Sequence, residues 1–61
     1  MTRTYQAVRG NACAGFVCRD GRVMEAAPIL RKVVDKGYLE TVAVDKLERR
    51  GWRVTLVEEK P

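Results

Sequence analysis

The chain has 61 residues, of which 46% are hydrophobic and 33% charged, and 12 Lys and Arg against 8 Asp and Glu give a formal net charge of +4. This length limits residues 1–61 to a single small domain, near the lower limit at which a hydrophobic core supports folding. No apolar run approaches the roughly 20 residues that cross a bilayer, and residues 1–5 lack the apolar stretch of a signal peptide. We therefore expect a cytoplasmic protein that does not bind membranes and whose charge biases it towards anionic partners.

Three short segments at the start of the chain predict strands. Thr2–Val8 contains residues that favour extended backbone, and Ala12–Cys18 is a short apolar run bounded by turn residues. Asp20-Gly21 lies between this run and a third apolar stretch, and such a dipeptide is typical of a two-residue hairpin turn. A turn at this position would align three pairs of residues: Arg19 with Arg22, Cys18 with Val23, and Val17 with Met24.

The middle of the chain predicts two helices. Residues 28–36 begin with a proline, which suits a first helical turn, and Gly37 follows them as a helix stop. The second predicted helix runs from about residue 39 or 41 to residue 50, and Gly51 would end it. The apolar face of the first helix would consist of four residues at helical spacing: Ile29, Leu30, Val33 and Val34.

The end of the chain predicts a last strand and completes the fold class. Within Trp52–Glu58, the side chains of Trp52, Val54 and Leu56 share one face, and residues 58–61 are expected to form a solvated tail. The order β-β-β-α-α-β predicts an α+β domain, in which a small antiparallel sheet carries two helices on one face. Its other face and its strand edges would stay open, so a homo-oligomer that covers them is a further expectation.

The residue types exclude several kinds of catalytic and metal site. The chain has no His, so neither a Ser-His nor a Cys-His nucleophile pair exists, and it has no glycine loop of the phosphate-binding type. Two thiols without a histidine do not complete a tetrahedral zinc site within one chain. Cys13 and Cys18 would lie about 16 Å apart on one strand, too far for a disulfide, and we expect both to be buried. We therefore predict a protein that is not an enzyme, with no catalytic residue, metal ion or cofactor.

Basic residues supply the one functional signal in the sequence. Three arginines follow Lys46 around the end of the second predicted helix, and two more lie on the predicted hairpin. A cluster of this kind is typical of a surface that binds an anionic partner. Of the aromatic residues, Phe16 and Trp52 fall on predicted core faces and are expected to pack there. The candidate binding residues are therefore Arg49, Arg50, Arg53, Tyr38, Arg19 and Arg22.

Four short segments carry a resemblance to a known group of proteins. They are residues 14–17 (AGFV), 20–23 (DGRV), 26–31 (AAPILR) and 49–54 (RRGWRV). In order and spacing they resemble segments of small uncharacterised proteins encoded by bacteriophages and prophages, particularly those of actinobacteria. The resemblance implies a phage context, and it implies no activity and no functional residue.

The expected function is that of a small non-enzymatic phage-type accessory protein that binds a host protein, such as a defence or regulatory factor. Two alternatives remain open on the sequence. A basic nucleic-acid-binding module would carry the same charges, and its affinity would fall steeply with salt. An oligomer could instead act as a sponge that holds a small anionic ligand between arginines of neighbouring subunits, with Arg19, Arg22 and Arg31 as candidates.

Overall fold

The computed structural model describes all residues, Met1–Pro61. Four strands, one α-helix and one 3-10 turn follow one another along the chain: β1 (Thr2–Arg9), β2 (Ala12–Arg19), β3 (Arg22–Ala26), the 3-10 turn Pro28–Leu30, α1 (Glu40–Arg49) and β4 (Arg53–Lys60). The strands form one antiparallel sheet in the order β3-β2-β1-β4. The structure thus agrees with the predicted α+β class and antiparallel sheet, but it contains one α-helix where two are predicted. No helix combines the length and apolar composition needed to cross a membrane.

β2 and β3 form the predicted hairpin. Asp20 and Gly21 have positive φ values of 51° and 83°. Two successive residues with positive φ match the tight turn that joins strands with the usual right-handed twist. Two predicted pairs across this hairpin are confirmed: Arg19 with Arg22, and Cys18 with Val23.

The third predicted pair, Val17 with Met24, is wrong. Glu25 lies opposite Val17, because the register shifts by one residue at this point and Met24 is the extra residue. Val23 and Ala26 are both buried, although residues three apart on a regular strand face opposite sides. The extra residue turns both side chains towards the core, so burial, and not the turn alone, sets the register.

The prediction of a helix over residues 28–36 is wrong. Only Pro28–Leu30 forms a 3-10 turn, and the chain continues to α1 through further turns. Ala27 precedes this turn and has no side-chain hydrogen bond to cap the free N–H groups, and the two β-branched valines of the segment lower helix propensity. Leu30 and Val34 are still fully buried. The apolar pattern therefore reflects the burial of this segment and not a helical form.

One hydrophobic core lies between the sheet and the residues from the 3-10 turn to the end of α1. Phe16 and Trp52 are buried in it, as predicted, and the ring of Phe16 stacks on that of Tyr5 with 5.0 Å between centroids. Since the core occupies one side of the sheet only, the other side is open. The buried hydrophobic residues are Ala7, Phe16, Cys18, Val23, Ala26, Leu30, Val34, Ala43, Leu47 and Trp52.

Two expectations about exposed and buried residues are wrong. Residues 58–60 belong to β4 and not to a tail, because they pair with residues 2–4 of β1. Cys13 is exposed, since Cys13 and Cys18 are five residues apart on β2 and therefore lie on opposite faces of the sheet. Burial raises the pKa of the Cys18 thiol to about 11, so this thiol stays protonated and unreactive at neutral pH.

Candidate functional site

Helix α1 carries opposite charges on its two flanks. Ala43 and Leu47 face the core and lie between the flanks. On one flank, the spacing of three and four residues places Lys46 beside Arg49 and Arg50. The other flank lines a groove beside β1, and its residues are mostly acidic or polar: Thr41, Val44, Asp45 and Glu48. The helix therefore borders a basic depression on one side and a more acidic one on the other.

The basic flank of α1 forms one wall of a depression of about 380 Å³, which we call the basic cleft. The other wall comes from the turns that precede α1. The depression carries four cationic side chains and no acidic one, and its volume falls within the roughly 300–1,000 Å³ of common ligand pockets. Six residues line the basic cleft: Lys32, Val33, Tyr38, Lys46, Arg49 and Arg50.

The cations of the basic cleft are only partly neutralised. The Lys46 Nζ lies 5.2 Å from the centre of the Tyr38 ring, within the range of a cation–π contact. Arg49 is paired, with its Nε 2.9 Å from the Asp45 Oδ2. The other cations of the cleft have no carboxylate within ion-pairing distance. The basic cleft therefore offers unpaired positive charge to an anionic group.

Backbone hydrogen bonds fix the end of α1 at the rim of the basic cleft. Gly51 has a positive φ of 91°. Its N–H donates to the carbonyl three residues before it, and the Trp52 N–H donates to the Leu47 carbonyl at 3.0 Å, which is the pattern of a Schellman motif. Arg9 lies 4.8 Å from the Trp52 ring centre and donates to the Arg50 carbonyl at 3.3 Å. These contacts satisfy the last helix carbonyls and hold the backbone of Arg50 against the sheet.

Half of the predicted binding residues meet in the basic cleft. Tyr38, Arg49 and Arg50 line it together, as a shared site requires. Arg53 does not, although it follows Arg50 closely in sequence. It pairs with Val8, next to the buried Ala7, and therefore lies on the face of the sheet that is turned away from α1.

The arginines of the hairpin lie apart from the basic cleft. Arg19 and Arg22 pair across the β2–β3 turn, as predicted, and the Arg22 Nη1 donates to the Gly37 carbonyl at 2.9 Å. Arg31 donates from its Nε to the Ala26 carbonyl at 3.1 Å. Two of the three arginines considered for a small-ligand site thus already bind backbone carbonyls of their own chain.

Sequence reasoning places Lys46 in the basic cluster but not among the candidate binding residues, and it misses Lys32 and Val33 of the basic cleft altogether. Both lie in the segment predicted as the first helix, whose polar side would have placed Lys32 in solvent away from α1. No local signal connects this segment with α1, since only the fold brings them together. The spacing of Lys46, Arg49 and Arg50 at i, i+3 and i+4 is the signal that the sequence does contain.

Glu40 is the one buried charged residue, with 8% of its surface exposed, and it lies in the groove on the acidic flank of α1. Its Oε2 accepts hydrogen bonds from the Arg3 Nη1 at 2.9 Å and from the Tyr5 hydroxyl. Burial opposes ionisation of Glu40, but these two hydrogen bonds outweigh it and lower the pKa of the carboxyl. Burial and the hydrogen bond to Glu40 raise the pKa of Tyr5 to about 12, so the phenol remains a neutral donor. Because each partner is satisfied, we interpret this network as structural.

The remaining side-chain chemistry adds no further candidate site. No group of three or more His, Cys, Asp or Glu side chains lies together in a way that would hold a metal ion. Comparisons with protein families, curated proteins and solved structures give no match. The functional argument therefore rests on the geometry and charge of the basic cleft.

Proposed function

We propose that the chain is a small phage-type accessory protein that binds an acidic surface of a host protein at the basic cleft. The observation that carries the proposal is the convergence of four cations and one aromatic ring on a single concave surface without a carboxylate. Arg and Tyr are enriched among the few residues that dominate protein–protein contacts. The phage context rests on the resemblance of the four short segments.

Contacts within the chain order part of the basic cleft before any partner arrives. Tyr38 is half-buried, Lys46 lies over its ring, and the backbone of Arg50 is held by Arg9. Side chains that are already ordered lose less conformational entropy on binding. Positive charge at an interface also accelerates the approach of an acidic partner and selects its orientation.

The charges around the basic cleft favour a compact acidic group over a nucleic acid. A nucleic acid is bound along a track of phosphates, each neutralised by a basic residue. On the side of α1 the positive surface is interrupted, because Asp45 pairs with Arg49 and Glu48 lies on the far flank of the helix. A short acidic protein segment needs only a local positive surface of this size.

Charge reversal inside the basic cleft tests the proposal. Lys46→Glu and Arg50→Glu each place a carboxylate in the cleft without removing a core side chain. We expect each variant, as a tagged bait, to capture at least about tenfold less host protein from a nuclease-treated bacterial lysate than the unchanged chain does. Arg19→Glu is the matched control, because it makes the same change of charge at an exposed residue outside the cleft.

The capture experiment separates the candidate partners. A host protein retained by the unchanged chain and by Arg19→Glu, but lost by both cleft variants, supports the proposal. The same capture is also made from untreated lysate. A signal that is present there and disappears on nuclease treatment identifies a nucleic acid as the partner and contradicts the proposal. Equal capture by all variants shows that the partner binds elsewhere on the molecule.

A further inference from the structure

The basic cleft is lined by apolar side chains as well as by cations. Val33 and Tyr38 are both partly buried and pack against the hydrophobic core. The other four residues that line the cleft are cationic, and the alkyl stems of lysine and arginine are themselves apolar. A partner that offered carboxylates alone would pair with the cations and leave this apolar surface in contact with water.

Val42 extends the apolar surface of the cleft along α1. It lies four residues before Lys46 and seven before Arg49, and these spacings place the three side chains on one flank of the helix. Val42 is 40% exposed, although the neighbouring Ala43 is fully buried. A single exposed valine is ordinary on a protein surface, but this one adjoins the cations of the basic cleft. The positive surface and an apolar surface are therefore continuous.

The basic cleft is larger than one carboxylate requires. Its volume is about 380 Å³, whereas a cavity of about 150 Å³ holds a benzene molecule. The cleft therefore has room for an apolar side chain beside an acidic one. Three of its cations, Lys32, Lys46 and Arg50, have no carboxylate partner within the chain. Their number suits a partner segment with more than one acidic residue.

We propose that the host segment that binds the basic cleft carries an apolar anchor residue between acidic residues. The anchor packs against Val33, Tyr38 and Val42, and carboxylates on either side of it pair with Lys46 and Arg50. This anchor extends the proposed function, on which it rests, because it specifies the chemistry of the acidic partner. An apolar centre with a charged rim is the common arrangement of protein–protein interfaces, and a buried anchor side chain often dominates their affinity.

The surroundings of the cleft favour a protein segment over an anionic membrane. A helix that lies on a membrane presents a broad apolar face to the lipid. The apolar face of α1, with Ala43 and Leu47, is instead buried in the core, and Val42 is the exposed large hydrophobic residue of this helix. A concave surface with so small an apolar area suits a side chain rather than a lipid layer.

Two acidic peptides of equal length and charge test for the anchor. Both are oligoglutamates in which the central residue is replaced, by leucine in one peptide and by serine in the other. In NMR titrations of the ¹⁵N-labelled chain, we expect both peptides to shift the amide signals of Tyr38 and Lys46. The leucine peptide should bind at least about fivefold more tightly, because its central side chain leaves water on binding.

Val42→Ser tests where the anchor binds. The change removes apolar surface beside the cleft without altering a charge, so it should reduce the preference for the leucine peptide at least about twofold. The affinity of the serine peptide should stay the same. Val57→Ser is the matched control, because it makes the same change at a residue that is 61% exposed on β4, outside the cleft. It should leave both affinities unchanged.

The outcomes distinguish the anchor from the acidic partner itself. Equal affinities of the two peptides for the unchanged chain, with shifts at the cleft, would overturn the anchor and leave the proposed function standing. No shift at the cleft with either peptide would overturn both. A preference for leucine that Val42→Ser leaves intact would contradict the proposed place of the anchor. Co-sedimentation of the chain with phosphatidylglycerol vesicles that is lost in Val42→Ser would assign the surface to a membrane and overturn the proposal.

Discussion

Glu40 shows how one buried carboxylate joins three elements. It begins α1 and accepts hydrogen bonds from Tyr5 and Arg3 of β1. Arg3 in turn donates to Glu59 of β4 at 2.7 Å. A buried charge is tolerated only where its partners satisfy it, and Arg3 and Tyr5 do so for the ionised form of Glu40.

The ionisation of Glu40 makes stability depend on pH in a definite direction. Its pKa is lowered from the usual 4.5 in the folded chain, so its contribution is complete above that value and is lost as the pH falls through the folded pKa. We expect Glu40→Gln to lower the free energy of unfolding by about 1–3 kcal/mol at neutral pH, and the difference should shrink in acid. Urea unfolding at a series of pH values from about 7 to about 3 measures it.

Glu48→Gln is the control for Glu40→Gln. It removes a carboxylate from an exposed position on the same flank of α1. We expect a much smaller effect on unfolding than that of Glu40→Gln. A loss of stability in Glu40→Gln that is the same at every pH would contradict an ionised, hydrogen-bonded Glu40.

At the level of elements, the segment between β3 and α1 contributes packing without helical structure. Leu30 is fully buried, whereas its neighbour Ile29 is 48% exposed. We expect Leu30→Ala to lower the free energy of unfolding by about 2–5 kcal/mol, and Ile29→Ala by less than about 1 kcal/mol. Urea unfolding of both variants, with circular dichroism as the signal, measures the difference. Equal losses would contradict the placement of this segment against the core.

The elements that the sequence predicts correctly are those with local signals. The strands are marked by their composition and by Asp20-Gly21, and the end of α1 is marked by Gly51. The segment 28–36 also carries local signals, a proline at its start and a glycine after its end, but here they mark turns. Its buried residues Leu30 and Val34 are four apart, a spacing that suits a helix, and successive turns bring both side chains to the core as well. The register shift at Met24 is likewise a result of tertiary burial, which no local pattern contains.

The candidate site was predictable in part for the same reason. Arg49 and Arg50 follow Lys46 by three and four residues, so a local rule places each of them beside Lys46 on one flank of the helix. Arg53 is near them in sequence, but Gly51 and the start of β4 turn its side chain to the other face of the sheet. Lys32 is distant in sequence and joins the cleft only through the fold.

At the level of the whole molecule, the charges are separated in space although they alternate in the sequence. The net charge of +4 does not reveal this separation. The basic cleft alone contains four cationic side chains and no carboxylate. The acidic residues of the second half of the chain lie mainly along the other flank of α1 and at the end of β4. The surface around the basic cleft is therefore suited to an acidic partner.

The most direct test of the central claim is an NMR titration of the ¹⁵N-labelled chain with a short oligoglutamate peptide and, separately, with an oligothymidylate. The account predicts that the peptide shifts amide signals of the basic cleft, with Lys32, Tyr38 and Arg50 among them, while those of Arg19 and Arg53 stay in place. It also predicts weaker binding of the oligonucleotide. Shifts centred on the hairpin arginines, or tighter binding of the oligonucleotide, would contradict an acidic protein partner at the basic cleft.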